Sequence, residues 1–352
     1  MFSKHADGED QYLTRTRILG AWSRFRKRKI DVFTTWRLAN RESDNMSDTL
    51  ESDAPPAGPP WIQPEIQQMI EWRDGDVVIS VPIKSGTTWT MNIVHQLLTG
   101  GTADFRDIYE QVPWIEFLGF PGQSPQDVVD RVAAMPTAGR RAFKTHSPPP
   151  GVPFQAAASG KDVKYVVVFR NPEEGVVSFK TFLDKHTDEW FDLWGMPREA
   201  LCRPDFPSFY SEVIDGHGMQ GAFFGFLAAW WPLRHEPNVM FIHFADMKQD
   251  HEGSVRKIAK FLGEEPNNDQ WAKILEYTSF PWMKKNEGKF EASTAGKVPI
   301  INSGAMIRKG EVGKAKADGM TDEISRHLRE VGSQIFPDTA AVKWLYEGGE
   351  LP

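Results

Sequence analysis

The stretch that decides the fold runs Val77-Val78-Ile79-Ser80-Val81-Pro82-Ile83-Lys84-Ser85-Gly86-Thr87-Thr88-Trp89, and a helix-like run follows at residues 91–98. It predicts a buried strand over 77–81, an anion-binding loop, and a helix. Glycine permits a tight turn at positive φ, and the small hydroxyl residues leave backbone N–H groups free to point at an anion. The helix N-terminus adds a partial positive charge. In a nucleoside-triphosphatase loop, GxxxxGK[ST], the lysine follows the last glycine, whereas here Lys84 precedes Gly86 and no first glycine exists. The loop therefore predicts a phosphate-bearing ligand other than an ordinary ATP or GTP; its plainer alternative is a turn that caps a helix.

Moving outward, further strands are expected at residues 142–145, 165–169 and 239–244. Helices are expected at 65–72, 174–183, 222–231 and 254–262, the last ending at Gly263. Apolar strands alternating with helices imply an α/β fold: a single P-loop-like domain whose central, mostly parallel sheet is flanked by helices on both faces. Ligands of such sheets bind beyond the carboxyl ends of the strands. Residues 61–352 are assigned to this domain. Residues 1–60 form a basic and polar extension with a proline-rich linker, in which Trp22, Phe25, Ile30 and Phe33 among arginines suit either a basic amphipathic helix or a loose tail.

Composition narrows the function. The 352-residue chain is 40% hydrophobic and 25% charged with a net charge of −7, so neither nucleic acid nor a membrane surface is an expected partner and an anionic ligand must be held by local cations. The sole cysteine, Cys202, excludes an internal disulfide and a cysteine-based zinc site. With no apolar run near 18 residues and charges where a signal peptide would be apolar, a cytoplasmic protein without a transmembrane segment is expected.

Three more groups carry chemistry. Arg170, at the carboxyl end of the 165–169 strand, precedes an Asn171-Pro172 helix start and lies two turns before Ser178. Such an arginine and hydroxyl make a second anion site, or else a sheet cap and an ordinary helical serine. Arg308, Lys309 and Gly310 stand in a glycine-rich loop, as phosphate donors or as a solvated basic patch. His146 ends the 142–145 strand, two residues after Lys144. A histidine there suits a general base, with His243 and His186 as competitors.

Lys84 to Trp89, Lys144-Thr145-His146, Arg170-Asn171-Pro172 with Ser178, Thr278-Ser279-Phe280 with Met283, and Arg308-Lys309-Gly310 occur in the order and approximate spacing of the cytosolic-type sulfotransferases. The chain resembles that family from about Trp61 to Leu328, with further similarity at residues 112–122, Trp230-Trp231 and Asp246-Met247-Lys248. The resemblance implies sulfuryl transfer from 3′-phosphoadenosine 5′-phosphosulfate (PAPS), as co-substrate and without a metal, to a hydroxyl or amine of a small acceptor. It implies that Lys84, Ser85, Gly86, Thr87 and Thr88 cradle the 5′-phosphosulfate, with Trp89 beside the adenine. Arg170 and Ser178 would hold the 3′-phosphate, Thr278, Phe280 and Met283 would line the adenine pocket, and Arg308, Lys309 and Gly310 would close on the 3′-phosphate. Lys84, Lys144 and His146 would act on the reacting sulfur.

Four departures stand out. Phe244 replaces a common tyrosine, Ala245 replaces an acidic residue, and residues 189–211 form a longer, aromatic-rich stretch. Asp322 sits where the family's dimerisation signature has valine, leaving the oligomeric state open. Trp114, Phe117, Phe143 and Phe182 are candidate walls of a hydrophobic acceptor pocket, or core. An ATP-dependent small-molecule kinase and a non-catalytic nucleotide-binding protein are the alternative readings.

Overall fold

In the computed structural model, which describes residues 59–292, 298–307 and 313–352, the four apolar runs form one parallel sheet. Its strands are β1 (Val77–Ser80), β2 (Ala142–Thr145), β3 (Lys164–Phe169) and β4 (Val239–His243). The order is β2-β1-β3-β4, with Val77 opposite both Ala142 and Lys164. The aromatic-bearing extension before residue 59, and Arg308, Lys309 and Gly310, lie outside the described residues.

Side chains alternate across the sheet, as the two-residue period of a strand requires. Val78, Phe143, Tyr165, Val167 and Phe169 enter one hydrophobic cluster, and Val77, Ile79, Ala142, Val166 and Val168 enter another. Each fully buried Val, Ile or Phe contributes roughly 1.5–3 kcal/mol, so these mostly apolar runs gain most when helices cover both faces of the sheet. Helices supply the covers: α1 (Thr87–Thr99), α2 (Pro125–Ala133), α3 (Pro172–Asp184), α4 (Phe224–Trp230), α5 (His251–Leu262), α6 (Asn268–Tyr277), α7 (Phe280–Lys285), α8 (Asp322–Ile335) and α9 (Thr339–Glu347).

The chain leaves β1 for β2 on one side and returns to β3 on the other, so the direction of winding reverses at β1. That reversal opens a crevice at its carboxyl end, where the Lys84–Gly86 loop lies.

The expected helix at 65–72 is instead a 3-10 segment, Pro64–Met69, after which Ile70 turns extended (φ −76°, ψ 128°). The extended exit carries Ile70 and Trp72, two residues apart, into the same core cluster, which a continued α-helix would not. Phe143 is also corrected: it is fully buried beneath Trp72 and is core rather than pocket wall. In the 189–211 stretch, Trp190, Phe191, Trp194, Phe206 and Phe209 are all buried core residues.

Candidate active site

Gly86 caps α1 at φ 97°, and Lys84 also adopts a left-handed conformation, φ 57°. A lysine there is uncommon and the turn holds it at some cost, a pattern that marks ligand clamps. A Cβ on Gly86 would lie 2.6 Å from Cδ2 of Phe244, so glycine is required both by its dihedral and by its neighbour. Ser85 is fully buried and its hydroxyl donates to the Ile83 carbonyl (3.3 Å). No acidic residue occupies the first turn of α1, which leaves the N–H groups around Thr87 and Thr88 and the dipole available to an anion. The Lys84 ammonium lies 4.1 Å from the centroid of the Phe182 ring, which places Phe182 beside the loop as expected.

Arg170 reaches this loop from the end of β3. Its Nη1 donates to the Lys84 carbonyl (2.9 Å), its Nε donates to Glu174 Oε2 (3.1 Å), and its guanidinium lies over the Phe244 ring at 4.5 Å. Asn171 caps α3 as read from sequence, its side chain accepting from the N–H of Glu173, and Ser178 sits partly exposed further along the helix. Glu174 also accepts from the backbone N–H of Gly313.

Trp89 turns the other way. Its Nε1 donates to the Thr278 carbonyl (2.8 Å), and its ring packs edge-on against Phe244 at 5.8 Å and against His251 at 5.7 Å. The Thr278 hydroxyl donates to the Ile274 carbonyl, so it accepts from His251 Nε2 (2.9 Å). Met283 is buried in the cluster against which Trp89 and Phe280 pack. The loop glycine Gly86, Trp89 and Arg170 thus meet at Phe244, 158 positions beyond Gly86 in the chain, while Thr278, Phe280 and Met283 join them through Trp89 and its cluster. The sequence comparison had noted Phe244 only as a departure.

On the β2 side, the His146 Nδ1 lies 2.6 Å from the Val81 carbonyl. A carbonyl can only accept, so Nδ1 carries the proton and Nε2 keeps its lone pair. Burial, and secondarily the Lys144 and Lys84 charges, push the His146 pKa well below its ordinary value. Lys144 is 3% exposed, with Nζ 3.0 Å from the Trp114 ring centroid. Burial, and after it Lys84, lower its pKa well below the usual lysine range, while Glu116 acts in the opposite sense.

The competing histidines are engaged elsewhere. His243 donates through Nε2 to the Leu345 carbonyl (3.0 Å) and accepts at Nδ1 from Ala245 N–H (3.2 Å). His186, 4% exposed, donates to the Phe182 carbonyl and is held between the Phe182 and Trp190 rings.

Glu116 is the residue that sequence reasoning missed. It is fully buried, and five donors converge on its carboxylate. Oε1 accepts from His146 N–H (2.6 Å) and Trp114 Nε1 (3.1 Å). Oε2 accepts from Gln67 Nε2 (2.9 Å), Thr145 Oγ1 (2.6 Å) and the Ser147 hydroxyl. The only signal in the sequence was an acid inside the otherwise apolar 112–118 run. That run reaches the site because Pro113 and Ile115 pair with Lys144 alongside β2 (2.9 and 3.2 Å).

Beside this centre an open cavity is lined by Tyr109, Trp114, Phe117, Gln123, Arg131 and Ile300, among others. Trp114 stacks on Phe117 at 4.5 Å and meets the His146 ring edge-on at 5.1 Å, so one indole belongs both to the cavity and to the catalytic candidates. Tyr109, hydrogen-bonded to Thr88 of the loop, has its pKa pushed up to about 12 by burial.

A strand, a phosphate loop with its lysine before the glycine, and a lysine and histidine on the adjacent strand define one class of enzyme. Residues 74–340 match the profile of the sulfotransferase domain, and the chain belongs to that family. It is 28% identical to sulfotransferase 1A1 of Rattus norvegicus over 257 residues, which cover 71% of this chain and 81% of that one. It is likewise 28% identical to sulfotransferase 1E1 of Homo sapiens over 263 residues, 73% of this chain and 84% of that one. Two solved structures share the fold. Mouse sulfotransferase SULT7A1 complexed with PAP gives a TM-score of 0.60 at 22% identity, over 80% of this chain and 91% of that one. Retinol dehydratase in complex with androsterone and the inactive cofactor PAP gives 0.61 at 22% identity, over 78% and 84%.

Proposed function

We propose that the protein transfers a sulfuryl group from PAPS to a hydroxyl or amine of a small hydrophobic acceptor, with His146 as general base. The observation that carries this reading is the fixed tautomer of His146. Its Nδ1–H is held by the Val81 carbonyl, so the free Nε2 lone pair stands ready for a proton beside Lys144 and next to a cavity with aromatic walls.

In the reaction the acceptor oxygen attacks sulfur as its proton passes to His146 Nε2. The bond between sulfur and the bridging oxygen breaks in line, and its electron pair stays on the departing 5′-phosphate. Lys84 and Lys144 stabilise charge on the peripheral and leaving oxygens. The donor fits the residues present. The α1 N-terminus and its open N–H groups receive the phosphosulfate, Arg170 and Ser178 receive the 3′-phosphate, and Trp89, Phe244, Thr278, Phe280 and Met283 enclose the base.

The test is a labelled-sulfate screen over phenols, alcohols and amines, run with and without a chelator, together with calorimetry of adenosine 3′,5′-bisphosphate against ATP. His146→Ala is expected to lower turnover by about 10² to 10⁴ while bisphosphate affinity stays within about twofold. Wild-type turnover in that variant removes the base assignment. Tight ATP binding with chelator-sensitive phosphoryl transfer returns the kinase.

A further inference from the structure

The cavity beside the reaction centre is polarised. Its inner walls are Trp114, which touches both Lys144 and His146, and Tyr109, whose ring centroid lies 5.7 Å from the Lys144 ammonium. Gln123 and Arg131 also line it. Arg131 stands in the last turn of α2, whose buried residues are Val128 and Val132, and it is itself exposed. Among the described residues no carboxylate pairs with Arg131, and none lines the cavity. Partial desolvation lowers the Arg131 pKa without any acid to offset it. Gln123 accepts at Oε1 from the Gly119 N–H (2.6 Å), and its amide N–H₂ remains as a donor. The lining therefore combines aromatic walls that touch Lys144 and His146 with an amide donor and an exposed positive charge that no carboxylate pairs.

We propose that Arg131 selects acceptors bearing an anionic group remote from the reacting hydroxyl, so that the acceptor class is an aryl or alkyl hydroxy acid rather than a neutral phenol or sterol. The inference rests on the sulfotransferase reading and deepens it. A guanidinium suits a carboxylate because it donates two parallel N–H bonds, and charge-assisted bonds are about twice as strong as neutral ones. A basic residue near a helix C-terminus also suits the helix dipole. That role concerns stability, and it would leave the choice between acceptors unchanged.

A matched pair of acceptors separates the two roles: 4-butylphenol and 4-(4-hydroxyphenyl)butanoate, assayed for labelled-sulfate transfer and for calorimetric binding in the presence of adenosine 3′,5′-bisphosphate. The wild type is expected to favour the butanoate by about tenfold in kcat/KM, through KM. Arg131→Met, which keeps an apolar stem of similar length, is expected to bring the ratio near one, chiefly through a rise in the KM for the butanoate. Arg131→Lys should keep part of the preference, and Arg131→Glu should reverse it. No preference in the wild type, or a preference that survives Arg131→Met, overturns the proposal. If neither compound is sulfated, calorimetry still decides: tighter binding of the butanoate that depends on Arg131 upholds the proposal, and equal binding overturns it. Absence of turnover over the whole panel counts against the sulfotransferase reading alone.

Discussion

Replacing Glu116 tests how the reaction centre is held. In Glu116→Ala five donors lose their acceptor inside a site with no exposure, and at roughly 1 kcal/mol each the loss is about 5 kcal/mol before any cavity cost. Much of a domain's whole stability is of that size. Glu116→Gln is a milder change that the structure can absorb. The amide oxygen can stay in the Oε1 position, which serves His146 N–H and Trp114 Nε1, and the NH₂ then takes the Oε2 position. There the hydroxyls of Thr145 and Ser147 can rotate to accept, and Gln67 can flip to offer its Oε1, a buried oxygen that now has no hydrogen-bond partner. We expect a cost of about 2 kcal/mol, a fall in Tm of roughly 4–8 °C.

What glutamine cannot supply is the negative charge that raises the Lys144 pKa. Without it Lys144 loses its proton at a lower pH, so the alkaline limb of the kcat profile moves to lower pH. Calorimetric Tm, circular dichroism and a pH–kcat series on both variants make the assay. If Glu116→Gln is folded and its profile overlays the wild type, Glu116 is structural filler. If Glu116→Gln is as unstable as Glu116→Ala, the rearrangement of Gln67, Thr145 and Ser147 is wrong.

Arg170→Ala should weaken adenosine 3′,5′-bisphosphate by about 10- to 100-fold and adenosine 5′-phosphate much less; equal losses by calorimetry would mean that Arg170 serves the Lys84 loop rather than a 3′-phosphate. Burial lowers the pKa of both His95 and His186 to about 4 from 6.5, so below pH 6.5 the unfolded chain binds protons that the folded chain refuses. Stability should therefore decline as the pH falls from 6.5 to 4, by about 3 kcal/mol per histidine, and a Tm–pH curve for His95→Gln no flatter than the wild type would exclude His95 as a source. A chain starting at Met46 should keep nucleotide affinity and turnover, because every matched motif lies beyond residue 76; lost activity under identical assay conditions would show that residues 1–45 complete the domain.

The sheet was legible because its strands are short, mostly apolar runs covered on both faces, with Lys144 and Thr145 as polar exceptions in β2, and the α1 loop was legible because its glycine and hydroxyl residues are local requirements. His146 stood out as a candidate base from its place at a strand end, although its tautomer required the Val81 carbonyl at the end of the neighbouring strand. Glu116 was hidden because its partners Gln67, Thr145 and Ser147 are 29 to 49 residues away and nothing local marks an acid that five donors will surround. Phe143 stayed open between pocket wall and core for a related reason: an aromatic looks alike in sequence in either place, and only the packing of Trp72 decides for the core.

The start of α3, which presents Arg170, is fastened to the last helices of the chain. Glu173 accepts from Ser325 and Arg329 of α8 (2.7 Å each), and Asn171 donates to the carbonyl of Tyr346 in α9 (3.2 Å). During synthesis the loop and β3 leave the ribosome some 150 residues before these fasteners exist. A nascent chain therefore holds the loop and β3 but not the frame that aims Arg170. If the proposed nucleotide site is right, ribosome-bound chains stalled before residue 325 should fail to be retained on immobilised adenosine 3′,5′-bisphosphate while released full-length protein is retained.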